Sequence, residues 1–461
     1  MTERRHKSAR EQALHVLYRV ETKGAYVGRL LAETRGAARD NDHGRDQALL
    51  EQLVKGTLDW RGRIDAVLDG VVKGGISSLT PWIRNILRLG TYQILFLDRI
   101  PPEVAVHESV ELAKRYGHRG TIGLVNAVLR KVAAQAQAGT TPGPVPAGEQ
   151  QDEAEGIAAM YSHPLWMARR WIEQLGAAET IELCRTNNQA WPLCLLTNTL
   201  KISTPDLRRA LHAEGLECHS APYHPDCAIV DALPHDIRLN ELSAYRDGLF
   251  LVQDESSAFV ARVVDPQPGE FVVDLCSAPG GKAANMAMLM RDQGRILAVD
   301  LHSKRLGMVE ANCERLGVSI VETVGVDGRS VQLDRAADRV LVDAPCSGLG
   351  ALGRRSDARW NKSEDDLPRL RALQLELLRH VATLPRVGGR LVYSTCTIDP
   401  EENEGIVREF LRDNTAYRAI ETSDGLPGLP SALVDEHGYY HTWPHRHGMG
   451  GAFGAAMIRV A

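Results

Sequence analysis

The sequence lacks the long apolar segments that are typical of membrane-spanning and secreted proteins. None of its apolar runs approaches the roughly eighteen residues that a transmembrane helix needs, so we expect no membrane span and no membrane partner. The N-terminal segment is basic, but no uninterrupted apolar stretch and small-residue cleavage site follow it. It is typical of an amphipathic helix rather than a signal peptide, and we therefore predict a cytoplasmic protein.

The sequence also lacks the cysteine patterns of disulfide-rich and zinc-binding domains. Its eight cysteines include no C-x-x-C pair and no spacing with histidine that suits zinc. In a cytoplasmic protein they should be reduced thiols, and free cysteines are most often small apolar core residues. We therefore predict no metal site and expect most of the cysteines to lie in the core.

The net charge of −5 conceals an uneven distribution of charge. Residues 1–133 contain 22 lysines and arginines against 15 acidic residues, whereas the remaining residues contain 32 against 44. A basic module joined to an acidic body suggests that the module binds a polyanion. A solvated helical surface would have the same composition, so charge alone leaves both interpretations open.

Hydrophobic periodicity divides the chain into regions of different character. Up to about Ala134 the apolar spacing is helical, and Thr80-Pro81 is typical of a cap followed by proline at the first helical position. A stretch rich in proline, glycine and acidic residues follows and is typical of a linker. The predicted helical domain, linker, small α+β subdomain and α/β domain span residues 1–135, 136–160, 161–245 and 246–461.

The last region alternates strands and helices. The apolar runs "FVVDLC", "RILAVD", "SIVETVGVD", "RVLVDAP" and "GRLVYSTC" are separated by amphipathic helical segments. This alternation predicts an α/β fold with a doubly wound, Rossmann-like parallel sheet. Ligands of such sheets bind at the carboxyl ends of the strands, so the residues there form the candidate site.

The first strand-to-helix turn, "DLCSAPGGK", indicates a nucleoside-bearing cofactor. Gly280 and Gly281 permit positive φ and close approach of a ligand, but G-x-G-x-x-G is absent. Asp300, after the second strand, could accept both hydroxyls of a ribose, and Asp327, after the third, could bind an adenine amine. Each could equally be a helix cap or a surface residue. Together with Asp274 and the glycine turn they favour S-adenosylmethionine over NAD.

Two further strands end in cysteines. Cys346 follows the fourth strand and Cys396 ends the fifth, and neighbouring strands lie roughly 5 Å apart. If these strands are neighbours, both thiols face one crevice. A lone strand-end cysteine is more often structural, but the pair favours function. The following "DPEEN" predicts a helix that is capped by Asp399 and has Pro400 at its first position.

Four motifs carry a resemblance to a known family. In this order, "DLCSAPGGK", "VDAPCSG", "YSTC" and "PEEN" resemble the RNA cytosine-C5 methyltransferases of the Nop/Sun family. The N-terminal "LRLGTYQILFL" and "GLVNAVLRKV" resemble the NusB-like RNA-binding domain. The combination is similar to the RsmB (Sun/Fmu) type, which modifies small-subunit ribosomal RNA. The middle region would then correspond to that family's RNA-recognition-like subdomain.

The resemblance implies a reaction and a site. Cys396 would attack C6 of cytosine, which activates C5 toward the methyl group, and Cys346 would assist removal of the C5 proton or release of the adduct. Asp343 would bind the N3/N4 edge of the base, and Lys282 would favour the thiolate unless it is a surface lysine. The implied S-adenosylmethionine site comprises Cys276, Ser277, Ala278, Pro279, Gly280, Gly281, Lys282, Asp300, Asp327 and Asp343.

The implied substrate is 16S ribosomal RNA with an unpaired or flipped cytosine. The segment 354–360, "RRSDARW", offers cations and an aromatic ring for phosphate contact and stacking, although Trp360 could equally lie in the core. Gly450-Gly451 departs from the family, in which an acidic residue precedes the glycine. We expect a monomer.

Other functions remain open at this point. The same chemistry could act on tRNA or another RNA, and the fold could be a passive platform in an RNA-binding assembly factor. A DNA cytosine methyltransferase carries its nucleophile in a Pro-Cys motif after the fourth strand, and Pro345-Cys346 matches that motif. The choice of Cys396 as nucleophile therefore depends on the cysteine pair and on the resemblance.

Overall fold

The computed structural model describes residues 7–35, 44–140, 152–234, 237–420, 426 and 428–461. Its α-helices are α1 Ala9–Lys23, α2 Val27–Arg35, α3 Gly44–Asp59, α4 Arg61–Asp69, α5 Pro81–Phe96, α6 Pro102–Tyr116, α7 Arg119–Gln137, α8 Glu153–Tyr161, α9 Leu165–Leu175, α10 Ala177–Asn187, α11 Thr204–Ala213, α12 Ser243–Arg246, α13 Glu255–Val264, α14 Gly281–Leu289, α15 Ser303–Leu316, α16 Ala358–Asn361, α17 Asp366–Val381, α18 Glu404–Asp413 and α19 Pro444–His447. None of the described helices has the length and apolarity needed to cross a bilayer.

The strands follow the same chain order. They are β1 Leu193–Thr197, β2 His219–Ser220, β3 Cys227–Val230, β4 Phe250–Val252, β5 Phe271–Leu275, β6 Arg295–Asp300, β7 Val321–Gly325, β8 Ala337–Asp343, β9 Pro385–Thr395, β10 Tyr417–Ala419, β11 Tyr440–Thr442 and β12 Ala452–Arg459. Part of the predicted linker, residues 141–151, lies outside the described residues, and α8 begins within the predicted range. The four domain boundaries stay predictions.

One compact unit is helical and comprises Met1–Gln189 with Leu352–Glu364. Its first helix follows the rules used above, since the Ser8 side chain accepts the N–H of Glu11 and Gly24 closes the helix in the left-handed conformation. Pro81 begins α5 as predicted, although the Thr80 side chain makes no capping hydrogen bond. The predicted helical N-terminal domain is thus confirmed.

The segment Leu352–Glu364 belongs to this helical unit. The guanidinium of Arg359 is fully buried, and the Trp360 indole N–H donates to the Leu58 carbonyl at 2.6 Å. Arg359 donates to the carbonyl oxygens of Asp59, Ser162 and Asn187 and to Oδ1 of Asn188. Because both side chains are engaged inside the unit, the interpretation of "RRSDARW" as an RNA-contacting loop is wrong for Arg359 and Trp360.

The second compact unit comprises Ala190–Ala351 with Asp365–Ala461 and contains two sheets. The smaller sheet has the order β2-β3-β1-β4, is antiparallel and packs its apolar residues against α11. Alternate strand residues such as Leu195 and Val230 are buried beside Leu207 and Leu211 of the helix. This arrangement provides the strands of the predicted small α+β subdomain.

The larger sheet has the order β10-β12-β9-β8-β5-β6-β7, with β11 paired to β12. Strands β5 to β9 are parallel, as predicted, and helices cover both faces. The three C-terminal strands β10, β11 and β12 are antiparallel, so the sheet is mixed rather than purely parallel. Strands β8 and β9 are neighbours, which is the condition for convergence of the two cysteines.

Candidate active site

The carboxyl ends of β8 and β9 bring the two predicted cysteines together. Asp343 is paired in register with Ser394, and the Ala344 N–H donates to the Ser394 carbonyl at 2.9 Å. The Gly350 N–H donates to the Cys396 carbonyl at 3.1 Å, which ties the two loops together beyond the strands. The Sγ atoms of Cys346 and Cys396 lie 3.4 Å apart. The predicted convergence is therefore present.

The two thiols have different surroundings. Cys396 is exposed, whereas Cys346 is partly buried, and neither is in a disulfide. The hydrogen bond with Cys396 and burial hold the pKa of Cys346 well above its usual range. Thiolates are the reactive form of cysteine, and these surroundings favour the protonated thiol on Cys346.

Lys282 and Asp343 form an ion pair beside the thiols. The Lys282 Nζ donates to Asp343 Oδ2 at 2.7 Å, and the Ser394 hydroxyl donates to Oδ1 at 2.9 Å. Burial lowers the pKa of Lys282, but the charges of Asp343 and Cys396 outweigh burial, so its pKa ends above the ordinary value. Lys282 is thus a partly buried ammonium group beside the site, and the surface-lysine alternative does not hold because its side chain is only 15% exposed.

The predicted glycine turn, residues 276–282, joins β5 to α14. Gly280 has φ of 96°, and a Cβ there would lie 3.0 Å from the Val309 backbone, so only glycine fits. Gly281 begins α14 without positive φ, which corrects the expectation for this residue. Cys276 has φ of 60°, and burial raises the pKa of its thiol to about 12. The Cys276 thiol is therefore protonated at neutral pH.

Two of the predicted strand-end carboxylates lie at this turn. Asp274 is fully buried; its Oδ2 accepts the Ser277 hydroxyl at 2.6 Å, whereas Oδ1 has no hydrogen-bond partner among the described residues. Burial raises the pKa of Asp274 to about 7. Asp300 accepts the N–H groups of Ala278 and His302, at 3.3 and 2.9 Å. Both carboxylates thus lie beside the glycine turn, near the carboxyl ends of β5 and β6.

Asp327 follows β7, which is the edge strand of the parallel part of the sheet. Its carboxylate accepts the N–H of Arg329 at 2.9 Å and the Arg329 guanidinium at 2.7 Å. These hydrogen bonds lower the pKa of Asp327 to about 2. Asp327 is thus an ionised hydrogen-bond acceptor that follows β7 and is already paired with one cation. Its contact with adenine stays a prediction.

The helix after Cys396 begins later than predicted. Residues 400–403 form a turn, and α18 begins at Glu404, so the expectation of Pro400 at its first position was wrong. Glu402 and Asn403 are instead buried: Asn403 Oδ1 accepts the Thr395 hydroxyl at 2.6 Å, and its amide donates to the Thr397 carbonyl at 3.1 Å. Sequence reasoning missed both residues, although the motif "PEEN" contains them.

Gly450 and Gly451 are tightly enclosed. They are the residues at which the sequence departs from the family that it resembles. The Gly450 N–H donates to Asp254 Oδ1 at 3.0 Å, and a Cβ at Gly450 would lie 2.8 Å from the same oxygen. The Gly451 N–H donates to the Gly350 carbonyl at 2.8 Å. An acidic side chain at position 450 would meet the Asp254 carboxylate, so glycine suits this surrounding.

Three family models match the chain. The model described as "16S rRNA methyltransferase RsmB/F" matches residues 261–458, the NusB family matches residues 7–134, and the RsmF/B-like ferredoxin-like domain matches residues 163–243. These matches agree with the α/β, helical and small antiparallel parts of the fold.

Similar proteins span nearly the whole chain. The chain is 33% identical to "Probable ribosomal RNA small subunit methyltransferase B" of Bacillus subtilis, covering 98% of each chain, and 30% identical to the ribosomal RNA small subunit methyltransferase B of Pseudomonas syringae, covering 90% of each. Among solved structures, "Crystal Structure of PH0851" is 27% identical with a TM-score of 0.81 and 98% of each chain covered. A methyltransferase homolog from Pyrococcus horikoshii is 28% identical with a TM-score of 0.57, covering 67% of this chain and 99% of that one.

Proposed function

The chain belongs to the family of ribosomal RNA small subunit methyltransferases B, and from that premise we propose that it forms 5-methylcytosine in 16S ribosomal RNA through a covalent bond between Cys396 and C6 of the base. The observation that carries the proposal is the 3.4 Å approach of an exposed and a partly buried thiol at the ends of β8 and β9. A packing role would not require two reduced thiols to meet at the ligand-binding edge of the sheet.

S-adenosylmethionine is the proposed cofactor. When bound, it would supply a methyl group on a positively charged sulfur. Residues 276–282 with Asp300, Asp327 and Asp343 would hold it, and two observations support the fit. The unpartnered Asp274 Oδ1 suits an ammonium group, and the Asp300 carboxylate at the end of β6 suits ribose hydroxyls.

The proposed attack uses Cys396, and its neighbours stabilise the thiolate. C5 of cytosine is a poor nucleophile until the thiolate forms a bond to C6, which moves the electron pair of the C5=C6 double bond to C5. The Lys282 ammonium and the Cys346 thiol both stabilise negative charge on Cys396. Asp343, held by Lys282 and Ser394, presents a fixed carboxylate to the N3/N4 edge of the base.

The proposed release step uses Cys346. After C5 has gained the methyl group, its proton must leave, and the electron pair of that C–H bond restores the double bond as the C6–S bond breaks toward Cys396. Cys346 lies 3.4 Å from the bonded sulfur and is held as a thiol, so it can pass its proton to the departing Cys396 sulfur and take up the proton that C5 releases. The cytosine must be unstacked for either thiol to reach it, so an unpaired or flipped base is the proposed target.

Methyl transfer by purified variants tests the proposal. We expect the wild-type protein to transfer labelled methyl from S-adenosylmethionine to unmodified 16S ribosomal RNA, and Cys396→Ala to transfer none. Cys218→Ala is the control, because it removes a thiol in the small-sheet region, and it should transfer methyl like the wild-type protein. Cys346→Ala should accumulate a covalent protein–RNA adduct visible as a gel shift. An active Cys396→Ala beside an inactive Cys346→Ala would invert the two roles.

Mapping of 5-methylcytosine in cells that lack the protein tests the substrate. Loss of a single methylated position in 16S ribosomal RNA is the expected result. Loss from tRNA, with ribosomal RNA unchanged, would show that the same chemistry acts on the alternative substrate.

A further inference from the structure

A buried carboxylate connects the loops that carry the two cysteines. Glu402 is fully buried, and its Oε1 accepts the Ser347 N–H and the Gln374 side-chain amide, both at 2.9 Å. The Ser347 hydroxyl donates a short hydrogen bond to Oε2. A buried carboxylate is costly unless such donors surround it, so the three hydrogen bonds form one cooperative unit with Glu402 at its centre.

Ser347, which binds Glu402, and Thr397, which binds Ser347, directly adjoin the cysteines in the chain. Ser347 follows Cys346, Thr397 follows Cys396, and their hydroxyl oxygens lie 2.8 Å apart. We name the four residues Glu402, Ser347, Thr397 and Gln374 the cysteine clamp.

The clamp holds Cys346 from both sides. The amide of Gln374 also donates to the Pro345 carbonyl at 2.9 Å, which fixes the residue before the cysteine. Cys396, in contrast, directly follows β9, and the hydroxyl of Tyr393 in that strand donates to the Glu402 carbonyl at 2.6 Å. Cys346 lies in a loop beyond β8, so its place depends on the clamp more than that of Cys396 does.

The clamp also supplies charge. The Glu402 carboxylate contributes, after the hydrogen bond with Cys396 and burial, to the raised pKa of Cys346. Burial raises the pKa of Glu402 itself, against the hydrogen bonds from Ser347 and Gln374. An ionised Glu402 behind Cys346 therefore favours the protonated form of that thiol.

We propose that Glu402 is a positioning residue that sets the place of Cys346 against Cys396, so that its loss impairs release of the methylated RNA more than attack on the base. This inference depends on the proposed function, because it assigns a role to the buried residue behind the proposed release thiol. It predicts that truncation of Glu402 imitates loss of Cys346 rather than loss of Cys396.

Glu402→Ala tests the inference, and Glu401→Ala is the matched control because Glu401 is the exposed neighbour in the same motif. We expect Glu402→Ala to transfer about one methyl group per protein at a near wild-type rate in a single turnover. Its steady-state rate should fall by about tenfold or more, since a buried network has lost its central acceptor, and covalent adduct should accumulate. Glu401→Ala should release product normally.

Glu402→Gln separates geometry from charge and guards against a folding defect. The amide keeps the shape of the side chain and one acceptor, so less adduct should accumulate than with Glu402→Ala. The pH at which release accelerates should move downward, because the negative charge that disfavours ionisation of Cys346 is gone. Thermal unfolding of each variant establishes that it folds.

An experiment with RNA that contains 5-fluorocytosine distinguishes failure of this inference from failure of the proposed function. The fluorine at C5 cannot leave as a proton does, so attack by Cys396 traps an adduct whatever happens at the release step. Absence of the trapped adduct with wild-type protein would overturn the proposed function. If wild-type protein gives the trapped adduct, either of two results with folded Glu402→Ala would overturn the role of Glu402. One is normal release of methylated RNA, and the other is abolished attack on the base.

Discussion

The ion cluster around His441 gives a pH-dependent contribution to stability that can be calculated. His441 lies in β11, and its Nε2 is 3.1 Å from Glu404 Oε1 and 3.3 Å from Asp435 Oδ2. Its side chain is only 16% exposed. Burial lowers the pKa of His441, but the two carboxylates outweigh burial and raise it to about 9. The cluster joins β11 to the first residue of α18, directly after the turn that contains Glu402.

The magnitude follows from the difference between the folded pKa of about 9 and the ordinary value of 6.5. At about 1.4 kcal/mol for each pKa unit, protonated His441 contributes about 3 kcal/mol to the free energy of unfolding. Below pH 6.5 the imidazole is protonated in both the folded and the unfolded protein, so the full contribution is present. As the pH rises from 6.5 to about 9, only the unfolded state loses its proton, and the contribution disappears.

Urea unfolding of wild-type protein and His441→Asn measures this contribution. We expect the difference in unfolding free energy between the two proteins to shrink by about 3 kcal/mol between about pH 6 and about pH 10. His437→Asn is the matched control, because the His437 side chain is 66% exposed and lies 3.9 Å from its carboxylate partner. The reasoning would be refuted if the unfolding free energies of wild-type protein and His441→Asn differed by the same amount at both pH values.

Two further predictions concern residues at the site. Gly450→Asp should destabilise the protein by about 1–3 kcal/mol, because its Cβ would lie 2.8 Å from Asp254 Oδ1 and its charge would repel that carboxylate. Thermal unfolding measures the loss, adding Asp254→Asn should recover part of it, and an unchanged melting temperature would contradict the close packing. Lys282→Met should destabilise the protein by about 3–5 kcal/mol, because it leaves Asp343 as a partly buried carboxylate without its cation. Adding Asp343→Asn should restore thermal stability but not methyl transfer, and restored activity would exclude both residues from the chemistry.

The convergence of the cysteines could be predicted because it depends on short-range features of the chain. Apolar runs mark β8 and β9, and parallel strands have their carboxyl ends at one edge, so the ends of both strands were known to face the same crevice. That β8 and β9 are neighbours could not be read from the chain. The antiparallel pairing of β12 with β9 was also not predicted, since the pairing direction of a short apolar run depends on tertiary contacts.

Residues whose partners are distant in the chain could not be predicted. Arg359 and Trp360 lie in a polar segment that is typical of an exposed loop, yet they donate to carbonyl oxygens about 300 residues earlier, at Asp59 and Leu58. Likewise, Asp399-Pro400 satisfies the local rules for a helix start. The tertiary hydrogen bonds of the buried Glu402 with Ser347 and Gln374 outweigh those rules and hold the segment as a turn.

The different roles proposed for the two thiols follow from their surroundings rather than from cysteine itself. The intrinsic proton affinity of both side chains is the same, so an isolated pair would share one proton equally. Here Cys396 is exposed near the Lys282 ammonium, whereas Cys346 is partly buried and affected by the Glu402 carboxylate. Both differences agree with the proposed division, in which Cys396 attacks as the thiolate and Cys346 is held as the thiol. Removal of Lys282 should therefore slow attack, and removal of Glu402 should slow release, although both residues act on the same pair of sulfur atoms.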